Sequence, residues 1–264
     1  MTPPVSTLST IGRVLYGLAV LGIGVGHFVT GHFPKGLVPM APLGALQPAV
    51  VYVTGAVLSL GGALVLAGRA RRPAGYMLAL LFAILLLAAH LPRLLANPTD
   101  ASEWTGALEV VALGSGGLLL ASQQVGNGSY YSLDEKVSLI GRLLLALTLA
   151  GFGLLHFLYA GFISTLIPHW IPAPLFWAYF VGVAFAATAL SLLIKWQLQL
   201  GAALLGLMFC LWVLVLHGPR VAASPHVEPE WTSAFVALGL GGILWVLAGA
   251  PNSSSLSGQL YEDL

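Results

Sequence analysis

The chain has 264 residues, of which 58% are hydrophobic and 7% charged, with a formal net charge of +1. A water-soluble fold carries about a quarter charged residues, so these proportions exclude a soluble globular protein. The near-neutral balance gives no signal for nucleic acid or an acidic partner.

Apolar runs occur at 11–31, 49–68, 74–91, 105–122, 139–160, 175–194, 198–217 and 231–249. Each is near the ~20 residues that cross a hydrocarbon core of about 30 Å at 1.5 Å rise per residue. Helices are expected because lipid offers backbone N–H and C=O groups no partner, and a helix satisfies them internally. The expected fold is an all-α integral membrane protein with eight transmembrane helices, arranged as two parallel-repeat four-helix bundles.

The first run begins with Arg13 and "VLYGLAVLGIGVG", a pattern that resembles a secretion signal. It is read as a lasting helix because "IGRVLYGLAVLGIGVGHF" from Ile11 matches "IGRLLLALTLAGFGLLHF" from Ile140, 129 residues later. His27 ends this segment and matches His156. The offset then becomes 127, pairing Tyr52 with Tyr179 and Gly55 with Gly182. Boundaries follow as 1–121 for the first unit, 122–138 for a polar linker, 139–250 for the second unit and 251–264 for a cytoplasmic tail.

The third run ends at His90, followed by Pro92 and Arg93, and Glu103-Trp104 open the fourth. The second unit repeats this order with His217, Pro219, Arg220, Glu230 and Trp231. Pro92 and Pro219 are expected to break or kink their helices and turn the following arginine toward the headgroup boundary. The carboxylates suit a helix N-terminus, and the indoles suit a membrane interface. The structural reading pairs Arg93 with Glu103 and Arg220 with Glu230, pinning helix three to helix four, since a half-buried ion needs a partner.

Glu109 lies two turns into the fourth helix, where the second unit has Val236. A carboxyl at that depth needs a proton, a hydrogen bond or a cation, with Arg93 or His90 as expected partners. This asymmetry favours the first unit as the one that performs chemistry.

His27 with His90, and His156 with His217, are also candidate axial pairs for haem or ligands for copper. The competing reading is hydrogen bonding to neighbouring helices or to a quinone-like carbonyl. His32, His169 and His226 lie in loops, His169 near the expected mouth of a site. Cys210 is alone in an apolar run and reads as a buried structural thiol. The glycine clusters 22–26, 114–117 and 239–242 suit close helix packing.

Alternate loops differ in cationic residues. One side has Arg13, Arg69, Arg71, Arg72, Lys136, Arg142 and Lys195, and the other has Lys35, Arg93 and Arg220. Cytoplasmic loops are the richer in such residues, so both termini are expected in the cytoplasm and the His-x-Pro-Arg and Glu-Trp-Thr motifs on the outer side of the plasma (inner) membrane.

Through its two "H-x-P-R … EWT" segments and "LLHFLYAGFISTLIPHWIPAPLFWAYFVGVA" from Leu154 to Ala184, the chain resembles the DoxX-like integral membrane proteins. A family member is usually one four-helix unit, and this chain looks like two fused head to tail over Ile11 to Ala248. The family takes its name from a subunit of a thiosulfate:quinone oxidoreductase, and similar proteins occur beside redox or respiratory genes. The resemblance implies a polar cluster of His27, His90, Arg93, Glu103, Trp104 and Glu109 in the first unit, and of His156, His217, Arg220, Glu230 and Trp231 in the second. Glu109 fits the family pattern and Val236 departs from it.

The functional expectation is a redox-associated protein with an outer-leaflet pocket for a quinone or similar lipophilic molecule, with respiratory membrane subunits as possible partners. The alternatives are a non-catalytic subunit bracing a partner complex and a haem- or metal-binding protein. A parallel-repeat transporter ranks last, because the polar groups lie near one face and not at the midplane.

Overall fold

The computed structural model describes residues 6–68, 70–123 and 131–250, with side chains from 135 onward in the last segment. Arg69, the linker stretch 124–130 and the tail 251–264 lie outside the described residues. The described chain is all-helical. Its eight long helices are α1 (Thr7–Thr30), α2 (Gln47–Ala67), α3 (Arg71–Ala96), α4 (Ala101–Ser122), α5 (Tyr131–Leu158), α6 (Pro174–Ile194), α7 (Leu198–Ala223) and α8 (Glu228–Ala248). All eight are long and apolar enough to cross a membrane. A short helix, Ala160–Thr165, follows α5, and α5 itself begins inside the stretch read as linker.

Local chemistry sets the ends. The Ser6 hydroxyl accepts the Ser9 amide at 3.2 Å to start α1, and Gly31 at φ 70° closes it. Pro229 occupies the first turn of α8, where its missing N–H costs nothing.

The prolines do not break their helices, one of the two outcomes the sequence suggests. Pro92 and Pro219 do not end α3 and α7, which continue to Ala96 and Ala223. Each is preceded by one π-helical stretch, Leu86–His90 and Val213–His217. A proline lacks the ladder N–H, and its ring crowds the carbonyl four residues earlier. A widened turn shifts the hydrogen bonds to i+5, as from the Leu91 amide to the Leu86 carbonyl, and makes room for the ring. Arg93 and Arg220 therefore stay helical, one turn beyond the histidines.

Helix order around the molecule follows the chain from α1 to α8, and α8 closes on α1. α4 packs on α3 and α5, α8 packs on α7 and α1, and α4 and α8 touch each other between the two halves. The α1–α8 contact is backbone to backbone. A Cβ on Gly12 would sit 2.5 Å from the Gly242 carbonyl oxygen, and one on Gly242 would sit 2.6 Å from that of Gly12. Without a hydrophobic drive between helices in lipid, such small-residue contacts supply the packing. The fully buried Tyr16 donates its hydroxyl to the Leu113 carbonyl at 2.7 Å, tying α1 to α4. At the other end of α4, Gln123 donates to the Ser9 hydroxyl and the Val246 carbonyl, both at 3.1 Å.

Gly242→Val is expected to cost about 1–3 kcal/mol through overpacking, read as a lower Tm of the detergent-purified protein. Gly26→Val adds its side chain where no atom lies within 4 Å, and should leave Tm unchanged. Equal Tm values for the two variants would contradict this packing.

Candidate functional site

The two halves handle matching polar residues in opposite ways. In the first half Arg93 and one nitrogen of each histidine are bonded within the chain, while His27 Nε2 and His90 Nδ1 are buried without a partner. The loop after α1 turns inward and buries Phe33, Leu37 and Val38. His90, 0% exposed, hydrogen-bonds through Nε2 to the Leu37 carbonyl at 2.9 Å. A carbonyl only accepts, so Nε2 carries the proton. Gly106 on α4 makes the room, since a Cβ there would lie 2.9 Å from His90 Cε1 and 3.0 Å from the Gly36 carbonyl oxygen. His27 bonds through Nδ1 to the Ile23 carbonyl at 2.9 Å, and Phe33 packs edge-on against its ring at 5.7 Å.

The expected clasp between helices three and four is present in this half. Arg93 Nε donates to both Glu103 carboxylate oxygens at 2.8 Å, and Nη2 donates to Oε1. Glu103 is 8% exposed, while the Arg93 side chain is 50% exposed. Asp100, just before α4, accepts from the Ser102 hydroxyl at 2.7 Å and its amide at 2.8 Å, bonds that hold its carboxyl below the usual carboxylate range.

The second half corrects the matching expectation. No ion pair joins Arg220 to Glu230. Arg220 Nη2 instead donates to the Leu166 carbonyl at 2.7 Å, because the loop after the short helix brings an unsatisfied carbonyl beside it. At the start of α8 the Thr232 hydroxyl bonds to Glu228. Both tryptophans behave alike: Trp104 Nε1 donates to the Pro98 carbonyl at 2.8 Å and Trp231 Nε1 to that of Pro225 at 3.0 Å.

Where the first half is plugged, the second holds a cavity of about 710 Å³. Its walls are mostly apolar and aromatic, including Phe152, Tyr159, Phe162, Trp177, Phe185 and Trp212. Into it face His156 from α5, His217 and Arg220 from α7, and Glu109 from α4. His156 bonds through Nδ1 to the Phe152 carbonyl at 2.9 Å, and its ring meets Phe185 edge-on at 5.1 Å. His217 Nδ1 is buried without a partner.

Glu109 is the largest departure from the sequence reading. It pairs with neither Arg93 nor His90, and no hydrogen bond or ion pair to it is present among the described residues. α4 packs on α5, with Leu108 directly against Gly151, so the next residue along α4 turns into the second half's cavity. The carboxyl that made the first unit the favoured one for chemistry thus lines a cavity walled mainly by the second half.

Sequence reasoning missed Ser233, whose hydroxyl-bearing side chain lines the cavity at the position matching Gly106. That substitution was readable as a second asymmetry. A shallower hollow of about 330 Å³ adjoins at Arg220 and includes His169 and Trp170. Cys210 is half-buried rather than buried, against Gly241 of α8. Among the described residues, no three His, Cys, Asp or Glu side chains come together as a metal site requires. No family model, curated protein or solved structure matches the chain.

Arg93→Ala would strand the buried Glu103 carboxylate, while Arg220→Ala removes a single bond to a loop carbonyl. The first should cost about 1–2 kcal/mol, less than a fully buried pair because Arg93 is half in solvent, and the second less than that. Thermal unfolding of both variants checks the order, and a larger loss for Arg220→Ala would refute it.

Proposed function

We propose that this chain is a redox-associated integral membrane protein, two DoxX-like four-helix units in tandem, whose second half binds a quinone or similar lipophilic molecule. The observation that carries the reading is the cavity itself: about 710 Å³ of mainly apolar space on which His156, His217, Arg220 and Glu109 converge. Small-molecule sites span roughly 300–1,000 Å³, with apolar walls and a few polar groups that fix orientation.

In this reading the aromatic walls hold the ring and tail, and His217 and Arg220 orient the oxygens. Glu109 and His156 exchange protons with the ligand. Quinone becomes quinol by taking up two electrons and two protons. The electrons come from a redox subunit in the same membrane, and the protons pass through these side chains. The distribution of lysine and arginine among the loops supports cytoplasmic termini and a cavity on the outer side of the plasma membrane. The tandem arrangement is supported by the recurrence of π-turn, proline and arginine in α3 and α7.

A second reading, a bracing subunit for a partner complex, is favoured by the Arg93–Glu103 clasp, which joins α3 to α4, and by His90, held against the loop after α1 through the Leu37 carbonyl.

Titration of the full chain in lipid nanodiscs with ubiquinone-1 tests the first reading. One saturable site is expected. Ala237→Trp, which fills the cavity, should abolish it, and Arg220→Ala should weaken it about tenfold, the effect of one charge-assisted hydrogen bond. His90→Ala should leave the affinity unchanged. Absent saturation, or saturation indifferent to Ala237→Trp, would leave the bracing role as the better account.

A further inference from the structure

His90 and His217 occupy matching positions, each closing a π-helical stretch and each followed at the second residue by proline. In both, Nδ1 is buried and has no partner. The difference lies at the other nitrogen. His90 Nε2 donates to the Leu37 carbonyl, carried in by a loop whose Phe33 and Leu37 are buried. His217 has no loop carbonyl, and the cavity lies in front of it.

The first half therefore displays, in its own chain, the kind of group this histidine holds: a neutral acceptor oxygen on an apolar body. We infer that His217 Nε2 donates to a carbonyl oxygen of the cavity's ligand, which takes the place that Leu37 takes on His90. The inference rests on the proposal that the cavity binds a lipophilic molecule, and adds the polar contact that selects it. His217 is half-buried, its Nδ1 is enclosed without a partner and its Nε2 is unbonded on the cavity side, so an acceptor oxygen in the cavity is the group the site rewards. Carbonyl-bearing lipophiles are thereby preferred over hydrocarbons of equal size. Ser233, where the first half has Gly106, adds a hydroxyl to the same wall.

Quinones and acyl-lipid esters both present such an oxygen, so the test uses nanodiscs of ether-linked phosphatidylcholine, which has no acyl carbonyl. Ubiquinone-1 labelled with ¹³C at its carbonyls is titrated into the full chain, and binding and carbonyl stretching frequency are read together. The expected result is a carbonyl band shifted to lower frequency on binding. His217→Phe, which keeps the ring volume, should reduce that shift and weaken affinity about fivefold, the effect of one neutral hydrogen bond. His217→Gln, which restores a donor, should recover part of both.

Binding that Ala237→Trp abolishes but that shows no shifted band in the unaltered chain, or a band unchanged in His217→Phe, would overturn the inference and leave the pocket reading standing. No cavity-dependent binding at all would overturn both. Should His217→Phe fail to fold, His217→Leu, which also removes the donor, takes its place, and a shifted band that persists in it overturns the inference. A weaker apparent affinity in ester-linked discs would support the contact and identify lipid carbonyls as a natural occupant.

Discussion

Everything distinctive about this molecule depends on where α4 and α8 lie. Either could have packed against the first helix of its own half. Instead α4 lies on α5 and α8 on α1, and the two meet between the halves. Chain connection favours this: α4 leads into α5 through one short stretch, so they form an antiparallel neighbour pair, and α8 is left to close on α1. The glycines at 12 and 242 permit that closure at backbone distance. The consequence is chemical, because a carboxyl in the first half's sequence becomes a wall group of the second half's cavity.

Burial then explains why the halves differ. A polar side chain at membrane depth must find a partner. In the first half, partners come from the chain itself: Leu37 for His90, Ile23 for His27 and Glu103 for Arg93. In the second, Arg220 takes a loop carbonyl, while neither His217 nitrogen nor Glu109 has a hydrogen-bond partner among the described residues, against one bonded nitrogen on His90. One half has become a closed structural clasp and the other has kept its space. The same motif is thus bonded within the chain in one place and faces a cavity in the other.

The π-turns link these roles to backbone geometry. They let α3 and α7 carry a proline without breaking, and hold histidine and arginine on one continuous helix at a defined separation. A broken helix would have left Arg93 free to swing, and its two-oxygen grip on Glu103 depends on a fixed base.

By itself the sequence determined the eight spans, because an apolar run of sufficient length has no other stable state in lipid. It also determined the matched polar residues near the ends of the helices and put Arg93 within reach of Glu103, although the same ten-residue spacing leaves Arg220 and Glu230 unpaired. Only the tertiary structure decided that Arg220 leaves Glu230, that Glu109 serves the opposite half, and that one pocket is plugged while its counterpart is open. The physical reason is that apolar periodicity says which residues enter the membrane but not which neighbour a helix meets. Two chains of identical hydropathy can pack α4 on α1 or on α5, and that choice, together with the path of a sixteen-residue loop (31–46), sets which ionisable groups share a cavity.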